Sequence, residues 1–330
     1  MKLAAASRIL NESDIVEAFV RHTAHFVDHH FFVDNGSIDG TLQVLQKLKD
    51  EGFAITVYQS NARSFVESRI NTFLYQTAVA SIQADWVVFL DTDEFIDDRQ
   101  LTQPLRDCIA SFADRHGSSA CIEVPLREYH ITPDDPSDIL ITNRITHCSP
   151  TSDNRKVIVP GDLIRRQAII QPGNHAVLID NATACPTFRE PTLSYAHYAV
   201  RSPYQWLSKS IIGWAKVLAA GQETINAGNS YHYKGPFEVL RTDPQAILRD
   251  PRVLQTPAMP TTPAELKHGP IHYRGGPLKY TGDTDYEMRA VKVTIQYLHE
   301  LATQHGELLG LANRLSGLIG RSESGVTQIL

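Results

Sequence analysis

The sequence predicts an α/β protein with a mostly parallel sheet and helices on both faces. Strand and helix patterns alternate over residues 1–100, and this is the order of βαβ units, whose strands run parallel. Residues 86–90 (WVVFL) are continuously apolar, as expected for a strand that is covered on both faces. Polar residues follow three of the predicted strands, at the edge where such sheets bind ligands.

The first hundred residues predict four strands and three helices. The strands are short apolar runs over residues 3–10, 31–33, 54–58 and 86–90. The first helix is expected to begin at a cap at Asn11 or Ser13, because apolar residues then recur at helical spacing. The second helix follows Asp39, and the third is predicted over residues 64–80.

The rest of the chain is less regular and then becomes helical. Further strands are predicted over residues 121–126, 157–159 and 168–170, and a helix is predicted from Tyr204. Another helix is predicted over residues 285–304, with one apolar face formed by Met288, Val291, Ile295 and Leu298. Residues 234–280 are rich in proline and predict a long loop or a covering arm. We therefore expect an α/β domain over residues 1–203 and a mainly helical extension over residues 204–330.

Composition excludes several classes of protein. The 330 residues are 42% hydrophobic and 21% charged, which is typical of a globular chain. The net charge of -6 and the lack of a basic stripe argue against nucleic acid as a partner. The sequence predicts no transmembrane segment and no signal peptide. The four cysteines form no C-x-x-C pair, so we expect buried free thiols in a reducing compartment.

Asp91 and Asp93 are the strongest candidates for a metal site. They follow directly after the apolar run of residues 86–90, so a buried strand would present both carboxylates at its tip. Mg²⁺ and Mn²⁺ prefer oxygen ligands of this kind. The alternative is a solvated turn in which the aspartates only cap a helix.

Four segments carry a resemblance to a known family. They are Asn11-Glu12, residues 34–41 (DNGSIDGT), residues 86–95 (WVVFLDTDEF) and residues 197–202 (HYAVRS) with Lys209 and Gly213 behind them. In order and spacing they resemble the family-2 type of GT-A glycosyltransferase. The resemblance covers about the first 215 residues and is clearest in the first hundred.

This resemblance implies a GT-A, Rossmann-like fold that binds a UDP- or GDP-sugar together with Mn²⁺ or Mg²⁺. The base and ribose of the nucleotide would lie near Asn11, Glu12, Asp34 and Asp39. Asp93 would ligate the metal, Asp91 would contact ribose or a metal-bound water, and His197 would complete the metal shell. Lys209 and Arg201 would neutralise the diphosphate.

The resemblance also implies a single displacement with inversion, assisted by a carboxylate that acts as general base. The family usually carries this base in a Glu-Asp pair, and no such pair occurs between residues 101 and 240. Glu128 is the nearest substitute by position, and Asp162 is the second. Glu128 and Asp162 therefore both remain candidates for the general base.

The acceptor implied by the family is a saccharide or glycolipid, used in polysaccharide biosynthesis by a cytoplasmic, membrane-peripheral enzyme. The helices after residue 204 are expected to cover the acceptor side or to form a homo-oligomer. Two other functions compete with this one. A non-catalytic module would bind the nucleotide-sugar without turnover, and a phosphatase of the haloacid-dehalogenase type would use the first aspartate of its D-x-D as nucleophile.

Overall fold

The structure is a computed structural model that describes residues 1–60, 67–150, 154–180, 182–226, 230–246 and 266–319. The predicted start of the third helix, residues 64–66, lies outside the described residues. The same is true of residues 247–265 in the proline-rich segment and of residues 320–330.

Four parallel strands form the centre of a large sheet. They are β1 (Leu3–Ile9), β2 (His29–Asp34), β3 (Ile55–Gln59) and β4 (Trp86–Phe89), in the spatial order β3-β2-β1-β4. The intervening segments contain the helices α1 (Val16–Thr23), α2 (Thr41–Asp50) and α3 (Glu67–Ile82).

Both faces of this central sheet are covered. Leu3 and Ala5 of β1 belong to the apolar cluster that contains α1 and α2, whereas Ala4 and Ala6 belong to the cluster that contains α3. Alternate residues of a strand point to opposite faces. All four side chains are fully buried, because helices cover both faces. The predicted α/β architecture is confirmed.

Beyond residue 90 the sheet becomes mixed. The elements that follow are β5 (Glu94–Asp97), α4 (Leu105–His116), β6 (Cys121–His130), α5 (Ile141–Arg144), β7 (His147–Cys148) and β8 (Arg155–Pro160). Strand β8 lies between β4 and β6 and runs antiparallel to both. Its neighbours supply the ladder hydrogen bonds on both sides, so the sheet continues across it.

The remaining strands are short. A separate three-stranded sheet consists of β9 (Ile169–Ile170), β10 (Val177–Ile179) and β11 (Thr183–Ala184). Strands β12 (Thr187–Arg189) and β13 (Ser194–His197) pair in parallel with β6, and β14 (Lys267–His268) pairs with β7. Strand β13 lies between β5 and β6.

The C-terminal part is helical, with α6 (Pro203–Ala219), α7 (Gln222–Asn226), α8 (Lys234–Thr242) and α9 (Tyr286–Ile319). The hydroxyl of Ser202 caps α6 by accepting the N–H of Gln205 at 3.0 Å. Helix α9 packs on α6 through Val293 and Tyr297, which contact Ile212.

The apolar face predicted for α9 is not its buried face. The four residues of that face are 48% to 62% exposed: Met288, Val291, Ile295 and Leu298. The packed side instead carries Ala290, Val293 and Tyr297. A helix with apolar residues on two sides has two candidate faces, and the sequence alone does not decide between them.

The segment after β14 crosses back over α1. The carboxylate of Glu17 accepts the backbone N–H groups of Lys279, Tyr280 and Thr281 at 2.6 to 2.8 Å. This part of the proline-rich segment is therefore an arm that covers the α/β core. Within the described part of the chain no helix combines the length and the apolarity that a membrane crossing needs. The four cysteines are free and buried, as predicted.

Candidate active site

A cleft of about 770 Å³ opens where β1 and β4 end. Helix α6 and the short 3₁₀ turn Tyr231–Tyr233 form the opposite wall. Charged side chains from both walls line it: Arg8, Glu12, Glu67, Asp91, Asp93, Glu94, Glu128, Lys156, His197, Lys209, Lys216 and Arg289. The cleft lies at the carboxyl edge of the parallel strands, where the sequence predicted it.

The two aspartates of the D-x-D each contact a lysine. Nζ of Lys156, on β8, lies 2.5 Å from Oδ2 of Asp91, and Nζ of Lys209, on α6, lies 2.5 Å from Oδ2 of Asp93. Burial favours the neutral form of Asp93, but Lys209, His197 and Arg201 outweigh it and lower the pKa of that carboxyl. Asp93 is therefore ionised at neutral pH.

His197 lies between two glutamates because β13 lies between β5 and β6. The register pairs His197 with Glu94 on one side and with Glu128 on the other. Its Nδ1 is 2.7 Å from Oε2 of Glu128, and its Nε2 is 3.7 Å from Oδ1 of Asp93. Burial favours the neutral imidazole, but Glu128 and Asp93 outweigh it and raise the pKa of His197 to about 9.

Asp93, Glu94 and His197 form a cluster that could hold a metal ion. One ligand atom from each of them lies within 4.8 Å of the others. Carboxylate oxygens with one imidazole suit a small divalent cation such as Mn²⁺. The cluster contains two of the three predicted metal residues, with Glu94 in the place predicted for Asp91. Burial, together with the charges of Asp91 and Asp93, raises the pKa of Glu94 to about 7 against the opposing effect of Lys156.

The residues predicted to hold the nucleotide build a turn beside the cleft. Asp34 is fully buried and accepts the N–H groups of Gly36 and Ser37 at 2.9 and 3.1 Å. Asp39 accepts from the backbone of Ser13 and from Thr41. These carboxylates fix the shape of the DNGSIDGT turn, and their contact with a nucleotide stays a prediction.

Asn11 and Glu12 lie closer to the cleft and line it. The amide oxygen of Asn11 accepts the N–H of Ile38 at 2.9 Å, so it ties β1 to the turn after β2. Glu12 forms an ion pair with Arg201, whose Nε also donates to Asp14 at 2.6 Å. The guanidinium of Arg201 is fully buried and joins the start of α1 to the segment before α6.

The two candidates for the catalytic base are far apart. Glu128 is buried in the cleft beside His197. Asp162 lies at the opposite edge of the sheet, because the preceding Gly161 donates its N–H to Asp85 just before β4 begins. The carboxylate of Asp162 forms an exposed ion pair with Arg165. The structure therefore brings Glu128 into the site and does not support Asp162 in the role predicted for it.

Some site residues were missed by the sequence analysis. Lys156 lies outside the predicted strand 157–159, whereas the observed strand β8 includes it; a buried lysine in a strand that is otherwise apolar indicates a charge partner. Arg8 pairs with Glu67 at 2.5 Å and lies 3.6 Å from Asp91. Nothing in the local sequence of Arg8 or Glu67 indicates this contact, since 59 residues separate them.

Residues 9–166 match the model of Glycosyl transferase family 2. Mannosyltransferase PcManGT from Pyrobaculum calidifontis, in complex with GDP-Man and Mn²⁺, is similar at 13% identity and a TM-score of 0.37, over 89% of this chain and 87% of that one. Glucosyl-3-phosphoglycerate synthase from Mycobacterium tuberculosis, in complex with Mn²⁺, UDP and glucosyl-3-phosphoglycerate, is similar at 14% identity and a TM-score of 0.32, over 60% of this chain and 72% of that one. No curated protein matches the chain.

The parallel sheet, the cleft at its carboxyl edge and the family match define the class of protein: the chain is a glycosyltransferase with an α/β fold. The match that carries this class, over residues 9–166, is to glycosyl transferase family 2.

Proposed function

We propose that this glycosyltransferase moves a sugar from a UDP- or GDP-sugar to a hydroxyl of a saccharide or glycolipid acceptor, with a divalent cation as cofactor. The observation that carries the proposal is the cluster of Asp93, Glu94 and His197, whose ligand atoms lie within 4.8 Å of one another. It faces a cleft that also contains Lys209 and Arg8. Such a site offers carboxylate and imidazole ligands to a metal ion, and it offers positively charged side chains to a diphosphate.

Asp93 and His197 would hold the cation, with Glu94 beside them. When bound, the cation supplies Lewis-acid stabilisation of the negative charge on the leaving nucleoside diphosphate. Asp91 has a different role in this proposal, because Lys156 holds its carboxylate at 2.5 Å. It would orient the ribose or a water molecule, as the family resemblance implies.

Glu128 is proposed to position His197. A histidine that binds a metal through one ring nitrogen commonly donates its other N–H to a carboxylate, which fixes the ring and its tautomer. Oε2 of Glu128 lies 2.7 Å from Nδ1 of His197, and Nε2 faces Asp93. This geometry supports a positioning role for Glu128, in place of the general base that the sequence suggested.

The helical extension would close the acceptor side of the cleft. Trp206, Ile212 and Val217 of α6 line it, together with Val293 of α9. These apolar side chains suit the carbon skeleton of an acceptor more than the charged diphosphate. We therefore propose that residues 1–203, together with Lys209 of α6, bind the donor and that the apolar side chains of the helices after residue 204 contribute to acceptor binding. The reaction is proposed to be a single displacement with inversion.

The proposal is tested by incubating the purified protein with a panel of UDP- and GDP-sugars, Mn²⁺ and saccharide acceptors. We expect release of nucleoside diphosphate that stops when the metal is chelated. Asp93→Ala should abolish this release and the metal-dependent binding of the donor while the protein remains folded, because the carboxylate lies in the cleft and not in the apolar core. Unchanged donor affinity in Asp93→Ala would remove the metal assignment.

Other outcomes of the same experiment identify the competing functions. Metal-dependent binding of the donor without turnover would indicate a non-catalytic module. Release of inorganic phosphate from phosphomonoesters would indicate a phosphatase.

A further inference from the structure

The carboxylate of Asp93 already has cationic partners. Nζ of Lys209 lies 2.5 Å from Oδ2, and the guanidinium of Arg201 lies 3.8 Å from the same oxygen. His197 approaches the other oxygen at 3.7 Å. A divalent ion that binds Asp93 must therefore compete with a positive charge that is in direct contact with the carboxylate.

The two lysines of the site differ in how firmly they are held. Lys156 lies on a central strand between two carboxylates, at 2.5 Å from Asp91 and 3.1 Å from Glu94, and its side chain is 4% exposed. Lys209 reaches over from helix α6, and its side chain is 23% exposed. The lysine stem is flexible and its ammonium behaves as a point charge. Lys209 can therefore leave its carboxylate far more easily than Lys156 can.

We propose that Lys209 neutralises the carboxylate of Asp93 until a metal ion binds there, and that it couples metal binding to diphosphate binding. The ammonium and the metal ion compete for the negative charge of the same carboxylate, with the ammonium at Oδ2 and His197 nearer to Oδ1. A diphosphate offers the displaced ammonium a new anionic partner, so the nucleotide favours the state in which Asp93 is free for the metal. This inference rests on the proposed function, because it assumes that Asp93 is a metal ligand.

The size of the effect follows from the strength of the contact. A hydrogen bond between charged groups contributes roughly 1.5–3 kcal/mol, which corresponds to about tenfold or more in an equilibrium constant. Removing the ammonium should therefore increase the affinity of the protein for Mn²⁺ alone by about tenfold. It should also reduce the factor by which a nucleotide increases the affinity for Mn²⁺.

The test is a titration of the full chain with Mn²⁺, in which the free ion is followed by electron paramagnetic resonance without any nucleotide. The variants are Lys209→Met, which removes the charge, and Lys209→Arg, which keeps it. Lys216→Met is the matched control, because it removes a positive charge from the same wall of the cleft two turns further along α6.

We expect Lys209→Met to bind Mn²⁺ about tenfold more tightly than the wild type, and Lys209→Arg and Lys216→Met to remain close to it. Adding Asp93→Asn to Lys209→Met should cancel the gain. If Lys209→Met has a lowered melting temperature, Lys209→Gln takes its place in the same titration. Equal affinities in the wild type and the folded Lys209 variant, or an equal gain in Lys216→Met, would overturn the inference.

The same titration with UDP or GDP present separates the two proposals. If the wild type does not bind Mn²⁺ even with a nucleotide, the proposed metal site fails. If it binds Mn²⁺ with a nucleotide but Lys209→Met brings no gain without one, only the role of Lys209 fails.

Discussion

At the scale of single residues, the site depends on how His197 is held between Glu128 and Asp93. The register of β13 between β5 and β6 sets this arrangement. Glu128 and Asp93 favour the protonated form of His197, so a metal ion would displace a proton as well as the ammonium of Lys209. Metal binding should therefore strengthen as the pH rises toward 9.

Replacing Glu128 by glutamine tests its proposed positioning role. We expect Glu128→Gln to weaken the affinity for Mn²⁺ about tenfold in the presence of a nucleoside diphosphate, because the ring of His197 loses its carboxylate partner. Glu123→Gln is the control, since Glu123 lies on the same strand and pairs with Arg155 at its partly exposed end. The measurement is a calorimetric titration with Mn²⁺.

A different pattern would restore the role predicted from the sequence. If Glu128→Gln kept its metal and donor affinities and lost only turnover, Glu128 would act as the general base and not as a positioning residue.

The sequence predicted this site unevenly. Asp91 and Asp93 could be identified because two carboxylates directly after an apolar strand form a pattern of only a few consecutive residues. Lys156 could not be assigned to Asp91 because their contact depends on the antiparallel insertion of β8 beside β4. That pairing joins residues 65 positions apart, and no local sequence pattern indicates it.

At the scale of elements, helix α6 connects the α/β core with the helical extension. Arg201 and Ser202 precede it, and Lys209 projects from it toward Asp93. The position of Lys209 therefore depends on where α6 begins. Its apolar spacing predicted the helix well, whereas the exposed stripe on α9 shows that spacing does not identify which face is packed.

The cap of α6 can be tested separately. We expect Ser202→Ala to lower the free energy of unfolding by about 1 kcal/mol, because the hydroxyl accepts the N–H of Gln205. Ser202→Asp keeps an acceptor at the same place and should remain close to the wild type. Urea unfolding followed by circular dichroism measures both, and an equal loss in the two variants would show that the cap is not the cause.

At the scale of the whole molecule, the arm after β14 is joined to the core through α1. His22 is buried there, with Nε2 at 2.8 Å from the carbonyl oxygen of Ile96, while its Nδ1 accepts the backbone N–H of Arg274 at 3.1 Å. Both contacts suit a neutral imidazole. Burial lowers the pKa of His22 to about 4, against the opposing effect of its contact with Ile96.

This shift predicts a loss of stability in mild acid. Because the folded-state pKa of about 4 is below the usual 6.5, the unfolded chain takes up the proton first as the pH falls. The contribution of His22 is complete above pH 6.5 and decreases toward pH 4, by up to about 3 kcal/mol. His22→Gln should reduce the pH dependence of the unfolding free energy in this range.

His299→Gln is the control for the acid experiment, because His299 lies on the exposed side of α9. Urea unfolding at several pH values from 6.5 to 4 gives the comparison. If His22→Gln and the wild type lost stability in parallel, another buried group would be responsible.

The fold class was more predictable than the long-range contacts that complete the structure. The parallel strands β1 to β4 and their helices follow from local apolar patterns, so the fold class could be predicted from the sequence. The arm over α1 could not, because it is held by backbone N–H groups that donate to Glu17 from more than 260 residues away. The antiparallel strand β8 and the separate small sheet likewise depend on long-range pairing.

The proposed activity requires that Asp93 and His197 hold a divalent cation beside a nucleoside diphosphate. The most direct measurement is the anomalous scattering of Mn²⁺ in crystals grown with a nucleoside diphosphate. We expect an anomalous peak about 2.0–2.4 Å from an oxygen of Asp93, with Nε2 of His197 in the same shell and the ammonium of Lys209 moved away. A peak that avoids Asp93, or Lys209 still in contact with that carboxylate beside a bound metal, would contradict it.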